Sequence, residues 1–394
     1  MRHPRLAESP SPIRPLRSLA PAGLHPRSHG VVGEWNDDGS GRSNRGSGQL
    51  FLAEAHQTLA EAALRSGITT FGASANPIVS RGTNFTQGFE TFHEFGFDAA
   101  RLDWTHGDDV LAPFADWLTA NRGLRFFAYL HVMEPHDPYT PKAAPSPPLE
   151  ARPEVRAGRA HQIGAQLRNG RTPPLTPAEL AHLHALYTGE VGAFDEAFGR
   201  LLATIQRAGI RETTTVILLA DHGESFLEHG DLVHRHHLTD ELIHVPFVIV
   251  GPGIAPGRIA TQVEHIDVYP TIAALLGLTG LSPLPGQSVL GDTTARPVFS
   301  ETEYGRGPTA QATELVALRE PPWKLIWAPA SQQYELFDLP SDPGEHVNRF
   351  GDNPEAAALA TRLADWRRTA PLPPVAVGSD PTLRDKLRAL GYAD

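Results

Sequence analysis

Residues 213–224 read Thr-Thr-Thr-Val-Ile-Leu-Leu-Ala-Asp-His-Gly-Glu, and this stretch decides the fold. From Val216 to Ala220 aliphatic residues run without a polar interruption, the pattern of a strand covered on both faces. A helical pattern precedes it over Thr176–Gly209, interrupted only by Gly189 and Gly192. The same helix–strand alternation recurs outwards. Leu50–Ser66 places apolar residues at helical spacing and closes at Gly67, before a short strand that begins at Ile68. Asp108–Thr119 is a second helical segment, followed by the apolar strand Arg125–Val132, and Val245–Val250 reads as a further strand. The Pro-rich stretch Pro135–Pro173 reads as a long loop. From about Ala295 the pattern changes to short strands at 298–301, 314–318, 323–327 and 334–339, separated by turn residues, and then to a helix over Pro354–Arg368. The expectation is an α/β fold with a mainly parallel central sheet and helices on both faces, plus a small C-terminal antiparallel sheet with a helix. Three regions follow: a Pro/Arg/Gly-rich irregular segment over 1–48, the α/β domain over 49–294, and the antiparallel subdomain with its tail over 295–394.

Composition removes several function classes. The 394 residues carry 34 Lys and Arg against 45 Asp and Glu, a net charge of −11 that argues against a nucleic-acid partner. There is no cysteine, so disulfides, zinc–thiolate sites, iron–sulfur ligation and a cysteine nucleophile are all excluded. The 19 histidines turn the remaining site chemistry towards imidazole and carboxylate. No apolar run approaches the roughly 18 residues of a membrane helix. The basic N-terminus lacks the apolar stretch of a secretory signal, so a cytoplasmic product is expected unless the start lies further upstream.

In α/β sheets ligands sit at the carboxyl ends of strands, which puts Asp221 and His222 first among the candidates. A carboxylate and an imidazole with a glycine turn behind them suit a divalent cation, although a polar strand cap has the same composition. Residues 228–237, EHGDLVHRHH, then pack four histidines and an arginine into ten positions, which points to an anionic substrate or a proton donor. His136 follows the strand 126–132 in a turn bounded by Pro135 and Pro138, where a packed loop histidine would look the same.

Taken together these segments resemble the sulfatases of the alkaline-phosphatase-like superfamily. Thr214–Glu224 (TTVILLADHGE) and His234–Pro246 (HRHHLTDELIHVP) resemble the family's metal loop and the segment after it. Phe126–Pro141 is similar to its strand leading into a Pro-His-x-Pro turn, and Asn84–Phe95 (NFTQGFETFHEF) to its Gly-Phe-Asp-x-Phe signature. Val263–Leu278, Tyr334–Asn348 and Leu387–Tyr392 resemble later family segments in the same order. The resemblance covers roughly residues 20–394, and its specificity lies in the shared order of motifs that are each weak alone.

The resemblance implies roles position by position. Asp221 and His222 match metal ligands, the ion being calcium by family habit, with magnesium and manganese as alternatives. His136 matches a histidine that contacts the sulfate ester. His234 and His236, with Arg235 between them, match the cation that binds sulfate and protonates the leaving oxygen, the register among them being open. The family's nucleophile is a formylglycine made from Cys or Ser in Cys/Ser-x-Pro-x-Arg. Counting back from Gly23–Val31 places Ile13-Arg14-Pro15-Leu16-Arg17 there, so Pro15 and Arg17 match while Ile13 occupies the nucleophile position. With no cysteine in the chain, formylglycine cannot come from Cys. The family's first strand, which ends in an Asp pair of metal ligands, has no counterpart in the twelve residues before Ile13, so an N-terminally truncated chain is expected. Three readings result: a metal-dependent sulfuric-ester hydrolase with impaired turnover, a non-catalytic anion-binding relative, and a phosphodiesterase or phosphonate hydrolase on the same scaffold. The expected partner is a small-molecule or carbohydrate sulfate ester, while oligomeric state is not readable.

Overall fold

A computed structural model describes residues 52–98, 103–234, 236–291, 293–306 and 312–369. Ile13, Arg17 and Arg235, and with them the nucleophile segment, lie outside the described residues. The chain divides into two compact units whose described parts are 52–214 with 226–233, and 215–225 with 234–369.

In the first unit, helix α1 (Leu59–Arg65) leads into strand β1 (Thr69–Ser74). The helix begins nine residues later than its apolar spacing suggests. Thr58 supplies the reason: its Oγ1 accepts the Glu61 N–H at 3.0 Å while its own N–H donates to Glu61 Oε2 at 2.8 Å, a capping box that fixes the start. Strands β2 (Thr91–Glu94), β3 (Phe97–Asp98) and β4 (Asp103–Trp104) come next, then helix α2 (Gly107–Asn121) and strand β5 (Phe126–His131). A parallel sheet runs β2-β1-β5 with β1 in the centre. Helix α2 covers it, Phe114 and Trp117 packing on Phe71 at ring separations of 5.4 and 5.1 Å.

The Pro-rich stretch after residue 135 is less irregular than expected, because helices α3 (Pro153–Arg156) and α4 (Ala160–Arg168) form inside it. Pro153 sits in the first turn of α3, where its missing N–H costs nothing, and Val155 and Ile163 are fully buried beside Leu183. Helix α5 (Pro177–Arg207) opens on a second capping box, Thr176 with Glu179, and continues unbroken through Gly189 and Gly192. Gly189 has a packing reason: a Cβ there would stand 2.8 Å from the Pro141 ring.

In the second unit, strand β6 (Val216–Leu219) leads to the two-residue strand β7 (Ser225–Phe226), which crosses into the first unit, as does β8 (Leu232–Val233). The one-turn helix α6 (Asp240–Ile243) and strand β9 (Phe247–Val250) follow. β6 pairs with β9 antiparallel, since the residues between them include no crossover helix of the length a parallel return needs. Helix α7 (Val268–Leu276) ends at Gly277, whose φ of +66° suits a glycine cap. Strands β10 (Val298–Arg306), β11 (Ala312–Glu320), β12 (Trp323–Ala328) and β13 (Gln333–Asp338) form the expected antiparallel meander, and helix α8 (Ala356–Thr369) closes the described chain.

The alternation of side chains along β11 and β12 gives that sheet two buried faces. Val316, Leu318 and Leu325 pack under Leu359 and Leu363 of α8, each such leucine contributing about 2 kcal/mol by burial. On the other face Leu315, Ala317 and Ile326 pack under Leu238, Leu242 and Ile243, which belong to the segment before β9. Between them Lys324 is fully buried, its Nζ 2.8 Å from Asp240 Oδ1 and 2.7 Å from Glu345 Oε1.

Candidate functional site

The loop at the end of β6 is held from three sides. Ala220 donates its N–H to the Pro246 carbonyl, and its own carbonyl accepts from His265 Nε2 at 2.9 Å. On either side of His265 in sequence, Glu264 and Asp267 are held by Arg296 Nη2, which reaches Glu264 Oε2 at 2.9 Å and Asp267 Oδ1 at 2.7 Å. Gly223 donates to the Leu242 carbonyl at 2.8 Å, and a Cβ at 223 would come within 2.0 Å of the Glu241 carbonyl oxygen. The glycine is there because the turn lies directly on the backbone of α6.

Asp221 accepts the His222 N–H on Oδ1 at 3.0 Å, and its Oδ2 stands 3.9 Å from His222 Nε2. The His222 Nδ1–H donates to the Gly223 carbonyl at 2.9 Å, which leaves Nε2 as the nitrogen with a lone pair. His234 lies against His222 with ring centroids 4.0 Å apart, and its Nδ1 meets Glu224 Oε1 at 2.5 Å. The His234 and Glu224 side chains are each 4% exposed, so this is an interior pair. Among the described residues, His222, Glu224 and His234 are the group of three whose ligand atoms all lie within 4.8 Å of one another.

The sequence expectation named Asp221 and His222 for the metal and His234 and His236 for substrate. The structure instead gathers His222, Glu224 and His234, with Asp221 beside His222 and His236 half-buried two residues past His234. Glu224 is the residue that sequence reasoning quoted without giving it a task. Its signal was available, a carboxylate two positions beyond His222 and ten before His234, but only the folded turn shows which histidine it holds. Two carboxylates and two imidazoles within one short segment can hold a divalent cation.

His136 belongs to the first unit. Its N–H donates to the Met133 carbonyl and its Nδ1–H to the Asp137 carbonyl, both at 2.6 Å, so its ring is fixed by the backbone of its own turn. Trp104 stands edge-on to it at 5.3 Å and donates Nε1–H to the same Asp137 carbonyl at 2.9 Å. The Asp137 carboxylate takes the His161 N–H in the first turn of α4 at 3.0 Å, and burial pushes its carboxyl up to about 7. Among the described residues no helix is long and apolar enough to cross a membrane.

The Sulfatase family description matches residues 23–278. Choline-sulfatase from Rhizobium meliloti (strain 1021) is 32% identical over 190 residues, which is 46% of this chain and 35% of that protein. The chain thus spans about a third of the length of the curated relative it matches. Among solved structures, a 2-O GAG sulfatase superposes with a TM-score of 0.69 at 18% identity, covering 96% of this chain and 88% of the other. A phosphonate monoester hydrolase from Silicibacter pomeroyi gives 0.64 at 21%, covering 92% and 87%. At those identities the superpositions speak for the fold, a mixed α/β architecture with a small C-terminal antiparallel sheet.

Proposed function

The chain belongs to the sulfatase family, and on that premise we propose that the strand exit at Asp221–Glu224, with His234, is the metal- and leaving-group-binding part of a sulfuric-ester hydrolase site. The observation that carries this reading is a pair of imidazoles in contact, tilted by 32°, each fixed through Nδ1, His222 on a carbonyl and His234 on a carboxylate. That is how proteins aim a ring nitrogen at a ligand. Asp221 and His222 would hold the divalent ion, which when bound polarises the ester oxygens. Calcium is the ion the resemblance implies, and it takes roughly six to eight oxygens. Magnesium and manganese are the alternatives, both likewise served by carboxylate oxygens.

His234, fixed by Glu224, gives the proton on Nε2 to the leaving oxygen. His236 is the second cation of that segment. His136 and Arg17 are the residues to which the resemblance gives contacts with the sulfate group. Ile13 offers no nucleophilic atom at the position the resemblance gives to formylglycine, so turnover is impaired. The substrate class is a small-molecule or carbohydrate sulfate ester. The same geometry, an imidazole next to the metal carboxylate, also serves a phosphonate-ester reading on a fold shared with phosphonate monoester hydrolases.

The experiment measures thermal stability and product release with an aryl sulfate and with an aryl phosphonate ester. A stabilising shift with aryl sulfate that is lost in His234→Ala, and sulfate release near background, are the expected results. A larger shift with the phosphonate moves the reading to phosphorus. Turnover well above background that vanishes in Asp221→Ala defeats the impairment, and no shift with either ester defeats the site.

A further inference from the structure

We propose that Asp103, Glu134 and Glu190, in the unit that carries His136, form a cation site built for a hard divalent ion of the calcium class. Each carboxylate is anchored through one oxygen. Asp103 Oδ1 accepts the Thr140 hydroxyl at 2.5 Å and the Trp104 N–H at 2.8 Å. Glu134 Oε1 accepts the Gly107 N–H at 2.6 Å, and Glu190 Oε1 accepts the Thr140 N–H at 2.7 Å. The second oxygens are what a ligand would use. Glu134 Oε2 is fully buried without a hydrogen-bond partner, on a side chain only 6% exposed. Glu190 is 4% exposed.

Charge balance points the same way. Burial, reinforced by the Glu134 and Asp103 carboxylates, pushes the Glu190 carboxyl up to about 7, with no Lys or Arg acting to lower it. The neighbouring cations Lys142 and Arg200 are engaged by Asp108 at 3.3 and 2.7 Å. Among the described residues His106 stands against the cluster, its Nε2 3.5 Å from Asp103 Oδ2 and its Nδ1 3.7 Å from Glu134 Oε1. Buried carboxylates without a matching positive charge are costly unless they coordinate a cation. Carboxylate oxygens are the donors calcium takes. The oxygens here are spaced more widely than the ligand atoms of the His222 group, and an ion would draw them in.

A bound ion would stiffen the turn that carries His136. Glu134 opens that turn, Thr140 closes it, and the cluster ties both ends to the start of α2 and to α5. The site uses no residue of the Asp221 segment, so each can fail without the other.

The test is calcium-dependent thermal stability of the full chain at about pH 8, above the raised carboxyl, with chelator as the reference. Calcium is expected to raise the Tm of the parent chain and of Asp221→Ala by several degrees, and to leave Asp221→Ala chains that also carry Glu134→Gln or Glu190→Gln unmoved. In chelator both Gln variants are expected to melt at or above the parent, because removing a like charge relieves repulsion, and this shows that they fold. Terbium luminescence excited through tryptophan supplies a second readout on the parent, lost in Trp104→Phe. A calcium shift that survives when either Gln substitution is combined with Asp221→Ala, or one that disappears in Asp221→Ala alone, overturns the proposal. So does a cluster that responds to pH alone and to no cation, since its carboxyls would then share a proton.

Discussion

At the scale of the residue, Gly223 shows how little latitude the strand exit has. A methyl group there meets the Glu241 carbonyl oxygen at 2.0 Å, and backbone cannot swing aside as a side chain can. Gly223→Ala is therefore expected to cost about 2–3 kcal/mol in urea unfolding, the upper range for overpacking a tight site. It should also weaken any metal-dependent thermal shift, because the loop it displaces carries Asp221 and His222. A Gly223→Ala chain as stable as the parent would show that the turn can move off α6. The candidate site was legible at this scale as far as chemistry goes, since Asp221, His222 and His234 stand out at a strand exit and in a histidine run. Glu224 was not legible as His234's partner. The pairing depends on a turn that returns the chain over ten residues, and no sequence spacing encodes that.

At the scale of the element, capping chemistry explains both the successes and the misses. Helix α5 was legible over nearly its whole length because Thr176 and Glu179 announce its start and apolar spacing sustains it. Helix α1 was read too long because apolar residues before Thr58 keep the helical rhythm although the cap stops them. Helices α3 and α4 were hidden by the prolines around them. Strand β2 is only four residues long with a single buried side chain, too weak a pattern to read.

Two ion pairs give element-scale predictions. Arg152 holds Glu179 in a bidentate pair, with Nε at 2.8 Å and Nη2 at 3.0 Å, and lowers that carboxyl to about 2. Its stabilisation is present above the ordinary glutamate range and is lost as pH falls through about 2. Arg152→Ala is expected to cost about 3 kcal/mol at neutral pH, and the deficit should shrink on acidification, as followed by urea unfolding. Lys324→Met removes the cation shared by Asp240 and Glu345 and leaves Asp240 with Arg319 at 3.4 Å, which should cost about 3 kcal/mol. A loss below about 1 kcal/mol would mean that water reaches the pair.

At the scale of the whole molecule, Asp137 and Glu190 set a pH dependence opposite to that of Glu179. Burial raises both to about 7, so the folded chain keeps protons that the unfolded chain releases near pH 4. Their contribution is complete below the unfolded values and is lost as pH climbs through about 7. In chelator, stability should therefore fall between about pH 4 and 7, by at most about 1.4 kcal/mol per pH unit for each group. Asp137→Asn and Glu190→Gln should each flatten that slope, and a parent chain with no slope would place these carboxyls in the ordinary range. The fold class was legible at this scale because a buried strand must alternate with helices to be covered. The antiparallel β6–β9 pair was not, since direction is decided by what connects two strands and both read alike as apolar runs.

The two-faced meander has a consequence for how such a chain can be divided or recombined. Its inner face is the floor beneath Leu238, Leu242 and Ile243, and the Leu242 carbonyl is what the Gly223 turn is bonded to. A cut near residue 294 would therefore not liberate a working half. Nor could the C-terminal strands be exchanged for a relative's as a free cassette, because Lys324 must find its two acids and the floor must match the turn it supports. The Leu238–Ile243 segment and the distant strands under it are expected to change together over evolutionary time, a kinship that paired substitutions in a chimera would reveal as rescue.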